Sequence, residues 1–222
     1  AINKSNDYNL DIFLTDDGST DGSSQILKDK FPKINIINGN GNLFWNKGML
    51  LAWQASNKQR ASDFYFWLNN DTFLFESAFK QFLIDYNNYK HFFKKKTIVA
   101  GACCENTGTS EFSYGLRINN KKIIPNGQIQ EGNMMNGNAV LIPKDIFDEI
   151  GYLSPDYTHA MGDYDYGLRA IKAGYKLITT SKYIAVCETN KELPSWRNHK
   201  INIIKRYRAL HSPLGLNINE YK

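Results

Sequence analysis

Long hydrophobic runs are missing from this chain. No stretch approaches the roughly 20 apolar residues that a membrane-spanning helix requires, and the first residues are polar, unlike a signal peptide. The expectation is a cytoplasmic protein that rests at most on the inner face of the membrane. Cysteine is scarce, with three residues in 222. Cys103 and Cys104 are adjacent and Cys187 is distant, which builds neither a disulfide framework nor a zinc site, so reduced thiols are expected. The histidines, His91, His159, His199 and His211, show no metal-ligand spacing. No serine sits in a nucleophile-elbow pattern, which disfavours covalent hydrolase chemistry. A strong excess of one charge is also lacking: 27 Lys and Arg against 22 Asp and Glu leave +5. With the other cations scattered and no recognition motif, nucleic acid is not an expected partner.

What is present is an alternation of short apolar runs and amphipathic stretches. Strands are expected at 11–15, 33–37, 63–69, 97–102 and 176–186, and helices at 21–30, 46–59, 74–89, 143–150 and 163–173. Such alternation predicts an α/β fold with a mostly parallel central sheet flanked by helices. Residues 111–142 break the rhythm, with short strands around Gly127, Gly132 and Gly137 suggesting a small antiparallel portion. At the end of the chain, Arg197, Lys200, Lys205, Arg206 and Arg208 interleave with Ile201, Ile203, Ile204, Tyr207 and Leu210. This basic amphipathic helix either makes peripheral contact with anionic lipid or docks on its own core.

Two turns carry carboxylates at strand ends. Asp16-Asp17-Gly18-Ser19-Thr20-Asp21-Gly22 follows Ile12-Phe13-Leu14, and Asn69-Asn70-Asp71 follows Phe64 to Leu68. In open α/β sheets ligands bind beyond the carboxyl ends of strands, which makes both turns candidates for a phosphorylated, metal-bound ligand. An EF-hand reading of the first turn fails because Lys28 stands where a bidentate glutamate is needed. Residues 39–48, GNGNLFWNKG, meet neither Rossmann nor Walker spacing. Their glycines permit close backbone approach, and a helix starting near Asn46 would aim its amides at an anion. Asn69-Asn70-Asp71 offers hard oxygen ligands suited to Mg²⁺ or Mn²⁺. In Met161 to Arg169, Asp165 and Arg169 are spaced as a helical ion pair. Asp163 is free of that pair, in the first turn, where a carboxylate could take a proton from a hydroxyl.

Taken in order, DDGSTDG at 16–22, GNGNLFWNKGM at 39–49, LNNDT at 68–72, NGNAVLIP at 136–143 and GDYDYGLRA at 162–170 resemble a family-2 glycosyltransferase of the GT-A fold. The likeness is to bacterial rhamnosyltransferase-like and polysaccharide-biosynthesis enzymes, and it spans nearly the whole chain. It implies one GT-A domain over 1–222, with a nucleotide-binding half to about residue 100 and an acceptor-binding half after it. The implied activity is inverting transfer of a hexosyl or deoxyhexosyl unit from a nucleotide-diphosphate sugar to a hydroxyl of a glycan or lipid-linked acceptor. The implied roles place Asp16 and Asp17 at the nucleotide, and Gly41, Asn42, Trp45, Gly48, Asn70, Asn136 and Gly137 about the donor. Asp71 and Asn69 fall at the metal, Asp163 is the base, and Asp165 and Arg169 support the acceptor side. Four departures stand out: Asn69 replaces the first metal-motif carboxylate, Gly162 replaces a glutamate before the base, and Cys187 replaces a histidine near the metal. Residues 1–10 are also too short for the strand and helix that open the family, so a chain lacking its N-terminal strand is expected. The alternatives are a truncated sugar-nucleotide-binding module without turnover and a sugar nucleotidyltransferase.

Overall fold

The computed structural model describes residues 9–108, 111–190, 192–215, 217 and 220. The question of a strand before the first carboxylate turn concerns residues outside this set. The chain forms two compact units interleaved in sequence. One contains Ala61–Tyr152 and Asp163–Thr189, and the other contains Asp11–Arg60, Leu153–Gly162 and Asn190–Lys222.

The unit that begins at Asp11 is a βαβα piece. β1 (Phe13–Asp16), α1 (Ser23–Lys30), β2 (Asn35–Asn38) and α2 (Phe44–Gln59) follow one another, and β1 pairs with β2 in parallel. Thr15 Oγ1 on β1 donates to Gly48 O at 2.8 Å, and a β-carbon on Gly48 would stand 3.8 Å from Thr15 Cγ2. α2 and β1 are thus in direct contact at Gly48, with room there for an ordinary β-carbon.

The other unit carries β3 (Phe64–Leu68), β4 (Phe73–Leu74), α3 (Ala78–Phe93), β5 (Thr97–Cys104), β6 (Leu116–Ile118), β7 (Lys121–Lys122), β8 (Glu131–Gly132), β9 (Met134–Met135), β10 (Ala139–Pro143), α4 (Lys144–Ile150), α5 (Gly162–Lys172) and β11 (Lys176–Val186). Its main sheet runs β3-β10-β5-β11-β4, with β8 also paired to β11. β5 and β11 pair in parallel, and β3 shares their direction because β10 lies antiparallel between β3 and β5. The α/β class and the helix-flanked sheet hold. The antiparallel portion is larger than the 111–142 pattern indicated, since β4, β8 and β10 all join the main sheet in that sense. β7-β6-β9 forms a separate three-stranded sheet.

The period of β3 explains the layering. Successive strand residues face opposite sides, and Phe64 and Phe66 meet Tyr86 and Phe82 of α3 edge-to-face, with 5.1 and 5.0 Å between ring centroids. Tyr65 and Trp67 instead meet Phe147 of α4 and Tyr166 of α5 at 4.9 and 5.0 Å. Helices therefore cover both faces. The last helix, α6 (Ile203–Leu210), belongs to the unit that begins at Asp11.

Candidate functional site

In the unit that begins at Asp11, Asp16 and Asp17 stand at the carboxyl end of β1 with different work. Asp16 Oδ1 accepts from Ser19 N at 2.9 Å and Oδ2 from Ser24 Oγ. These hydrogen bonds from Ser19 and Ser24 hold its carboxyl below the ordinary carboxylate range. Asp17 reaches across to the 39–44 loop. Its Oδ1 accepts from Gly41 N at 2.8 Å, and its Oδ2 from Leu43 N at 2.8 Å and Phe44 N at 3.1 Å. Phe44 has φ 53, a conformation that costs a non-glycine residue about 1–3 kcal/mol, and the carboxylate clasps that strained turn. Gly39 is required by the same contact, because a β-carbon there would lie 2.5 Å from Asp17 Oδ1.

The first-turn amides of α2 are consumed. Asp17 takes those of Leu43 and Phe44, His159 Nδ1 takes that of Trp45 at 3.4 Å, and Thr158 O takes that of Asn46 at 3.1 Å. Burial lowers the pKa of His159, which favours the neutral ring whose Nδ1 can accept. The expected anion cradle at this helix start is therefore corrected: its orphan donors, normally open at an N-terminus, already have protein partners. A carboxylate has about four acceptor positions, and three at Asp17 are taken, so its capacity for a nucleotide is what remains. Asn42 stays exposed, its N–H bonded to Asn40 Oδ1 at 3.0 Å.

In the unit built on the β3–β11 sheet, three consecutive residues organise the rest. Asn136 Nδ2 donates to Tyr164 Oη at 3.2 Å, and its Oδ1 accepts from Gly115 N at 3.4 Å. Gly137 N donates to Asp163 Oδ2 at 2.9 Å. Asn138 O accepts from Asn69 N at 3.0 Å, and Asn138 Nδ2 lies 3.4 Å from Cys187 Sγ. One short segment leading into β10 thus ties the candidate base on α5 to the 69–71 turn after β3.

Asp163 keeps some surface open, yet protein packs densely about its carboxyl. Burial raises its pKa to about 6, against the opposing pull of the Gly137 and Tyr164 N–H groups. Asp71 is exposed, and its Oδ1 accepts from Thr72 Oγ1 at 3.4 Å and from Cys187 Sγ at 3.7 Å. Cys187 therefore does lie beside the metal-motif carboxylate, and burial first of all pushes its thiol up. A protonated thiol is a poor partner for a hard cation. Among the described residues no three His, Cys, Asp or Glu side chains cluster about a common point. The turn fits a divalent ion of the kind that keeps water and substrate phosphates as ligands and takes one carboxylate from the protein. Asp71 would hold it, Asn69 shares its turn, and Asn70 beside them is exposed.

Asp165 and Arg169 are spent on the fold. Arg169 Nε donates to Asp165 Oδ2 at 2.8 Å, while its two terminal nitrogens donate to Ile150 O at 2.7 Å and Tyr152 O at 2.8 Å. The arginine pins the chain leaving α4. Sequence reasoning missed Asn46, Asn138 and His159. A buried asparagine inside the apolar face of α2 was the visible signal for the first, once the helix phase was known.

The family model described as "Glycosyl transferase family 2" matches residues 1–151. No curated protein sequence matches. Among solved structures, the mannosyltransferase PcManGT from Pyrobaculum calidifontis in complex with GDP-Man and Mn²⁺ aligns with TM-score 0.53 and 12% identity, over 92% of this chain and 53% of that one. GalNAc-T7 with UDP, GalNAc and Mn²⁺ aligns with TM-score 0.50 and 10% identity, over 89% and 40%. The chain therefore spans about half or less of the structures it resembles.

Proposed function

The chain belongs to glycosyl transferase family 2, and we propose that it moves a sugar, with inversion, from a nucleotide-diphosphate donor to a hydroxyl of a glycan or lipid-linked acceptor. The observation that carries this reading is the Gly137–Asn138 link, which joins Asp163 on one side to the 69–71 turn on the other. A base and a diphosphate-binding turn fixed to one peptide are what an in-line displacement needs, since holding reactants in line supplies a large part of the rate. Binding of GDP-Man with Mn²⁺ by one structural relative, and of UDP, GalNAc and Mn²⁺ by the other, supports the donor class and a divalent ion.

Asp163 would receive the acceptor's proton. A carboxylate whose pKa is raised to about 6 is a better base near neutral pH than an ordinary one, because it stays ionised yet binds the proton more tightly. Gly137 N–H and Tyr164 N–H hold the carboxylate by one oxygen each, which fixes its plane and leaves lone pairs for the hydroxyl. A divalent ion at Asp71, when bound, would neutralise charge on the departing diphosphate. Asp17 keeps the 39–44 loop shaped for the nucleotide and offers its remaining acceptor capacity to it. Arg169 and Asp165 act on the acceptor side by holding residues 150–152 in place. The likeness of the five sequence motifs to bacterial polysaccharide-biosynthesis enzymes is what supports the further reading of a role in cell-surface polysaccharide synthesis on the cytoplasmic side.

A screen of nucleotide sugars with Mn²⁺ or Mg²⁺ tests the reading, following donor binding and nucleoside diphosphate release in the wild type and Asp163→Asn. Release that requires Asp163 is expected. Binding without release in the wild type would instead identify a sugar-nucleotide-binding module.

A further inference from the structure

We propose that α6 docks this chain on an anionic lipid surface, with Ile203, Ile204 and Tyr207 entering the headgroup boundary and Arg208 and Lys205 pairing with lipid phosphates. These three apolar residues are 74%, 60% and 64% exposed. The helix does not turn them inward: Arg206, Ala209 and Leu210 are the half-buried positions. At 100° per residue, Ile203, Ile204 and Tyr207 share one arc of roughly 100°. Arg208 borders that arc and Lys205 lies beyond it. An isolated exposed leucine is ordinary, but a row of aliphatic and aromatic side chains on one helix face is a docking surface.

Charge decides what docks there. Between Leu193 and Gly215 the chain carries Arg197, Lys200, Lys205, Arg206 and Arg208 and no Asp or Glu, a balance of +5. The whole chain is also +5, so everything outside this segment sums to zero. On α6 itself Lys205 and Arg208 are exposed, while Arg206 is turned inward, its Nε donating to Trp196 O at 3.2 Å. Two exposed cations next to an exposed apolar arc are the chemistry of a helix that lies in the interface of an anionic bilayer, its apolar side about 5–10 Å deep. A second copy of this chain would bring Lys205 and Arg208 against their own counterparts, which argues against self-association through this face. The helix also lies outside the residues matched by the family model, 1–151. The inference is independent of the transferase reading, because lipid binding is measured without donor or acceptor.

The full chain is sedimented with vesicles of phosphatidylcholine alone and of phosphatidylcholine with about one third phosphatidylglycerol. Binding to the anionic vesicles only, weakening as salt rises from about 0.05 to about 0.5 M, is expected. The variant Ile203→Ser, Ile204→Ser, Tyr207→Ser is expected to lose about tenfold or more in vesicle affinity with its melting curve unchanged. Lys205→Glu with Arg208→Glu is expected to lose as much without touching an apolar residue. Equal binding to both vesicle types, wild-type binding by either variant, or no binding at all would overturn the proposal. So would dimers in analytical ultracentrifugation that the triple variant abolishes, since a second copy would then be what covers the face.

Discussion

Asn46 occupies the space where a side chain on residue 162 would begin: a β-carbon on Gly162 would lie 1.8 Å from Asn46 Oδ1 and 2.6 Å from its Cγ. The asparagine cannot swing aside freely, because it is buried and its Nδ2 donates to Ser154 O at 2.8 Å and Tyr157 O at 2.6 Å. Gly162 is the residue before the candidate base, so the lost glutamate of the family pattern and the packed asparagine describe one local arrangement. Gly162→Ala should cost about 1–3 kcal/mol of stability through overpacking. Pairing it with Asn46→Gly should cost less than the sum of the two single changes. Urea unfolding of the four proteins checks this, and strict additivity would contradict the contact.

Asp17→Asn should destabilise by about 1–3 kcal/mol, before any question of ligand arises. The carboxylate accepts three N–H groups, and an amide would present a donor to at least one of them. Thermal melts check it without nucleotide, with the 39–44 loop as the part expected to exchange amide hydrogens faster.

The stability of the chain should carry the mark of Asp163. Its folded pKa of about 6 lies above the ordinary 3.8, so the folded state binds more protons than the unfolded state between those values. Stability from this group is therefore present below about pH 4 and lost as pH rises to about 6, by on the order of 3 kcal/mol. Asp163→Asn should remove that slope. Equilibrium unfolding of both proteins from about pH 4 to about pH 7 tests it. In the wild type, the same carboxyl should give transfer an acid limb near pH 6 in kcat/KM.

Much of the fold was legible because the apolar runs are cleanly punctuated. The strand at 176–186 is observed within the expected bounds, and the βαβ start follows from alternation alone. What sequence could not supply were contacts made across long separations. α2 begins at Phe44, two residues before the expected start, because Asp17, 27 positions upstream, caps it. α3 begins at Ala78 rather than 74 because Phe73 and Leu74 are drawn into β4 by pairing with β11. The periodicity of α6 was plain, but whether its apolar face was covered was decided only by the exposure of Ile203 and Tyr207. Asp17 and Arg169 were readable as polar residues at the right places, while their commitment to backbone groups depends on which loops fold back on them.

Mn²⁺ alone should bind weakly, and a nucleoside diphosphate should tighten it markedly, because Asp71 is the one carboxylate in its turn. Titration of the ion by electron paramagnetic resonance, with and without GDP or UDP, reads this directly. Asp71→Ala should abolish the nucleotide-dependent part. Tight binding of the bare ion would contradict a site completed by substrate phosphates.

The most direct test of the account is the rate of nucleoside diphosphate release on a turned-over donor and acceptor, measured side by side for wild type and Asp163→Asn. Removing a general base should lower the rate by about 10²–10⁴-fold with donor affinity retained. Transfer at the wild-type rate in Asp163→Asn would contradict the assignment of this carboxylate as the base.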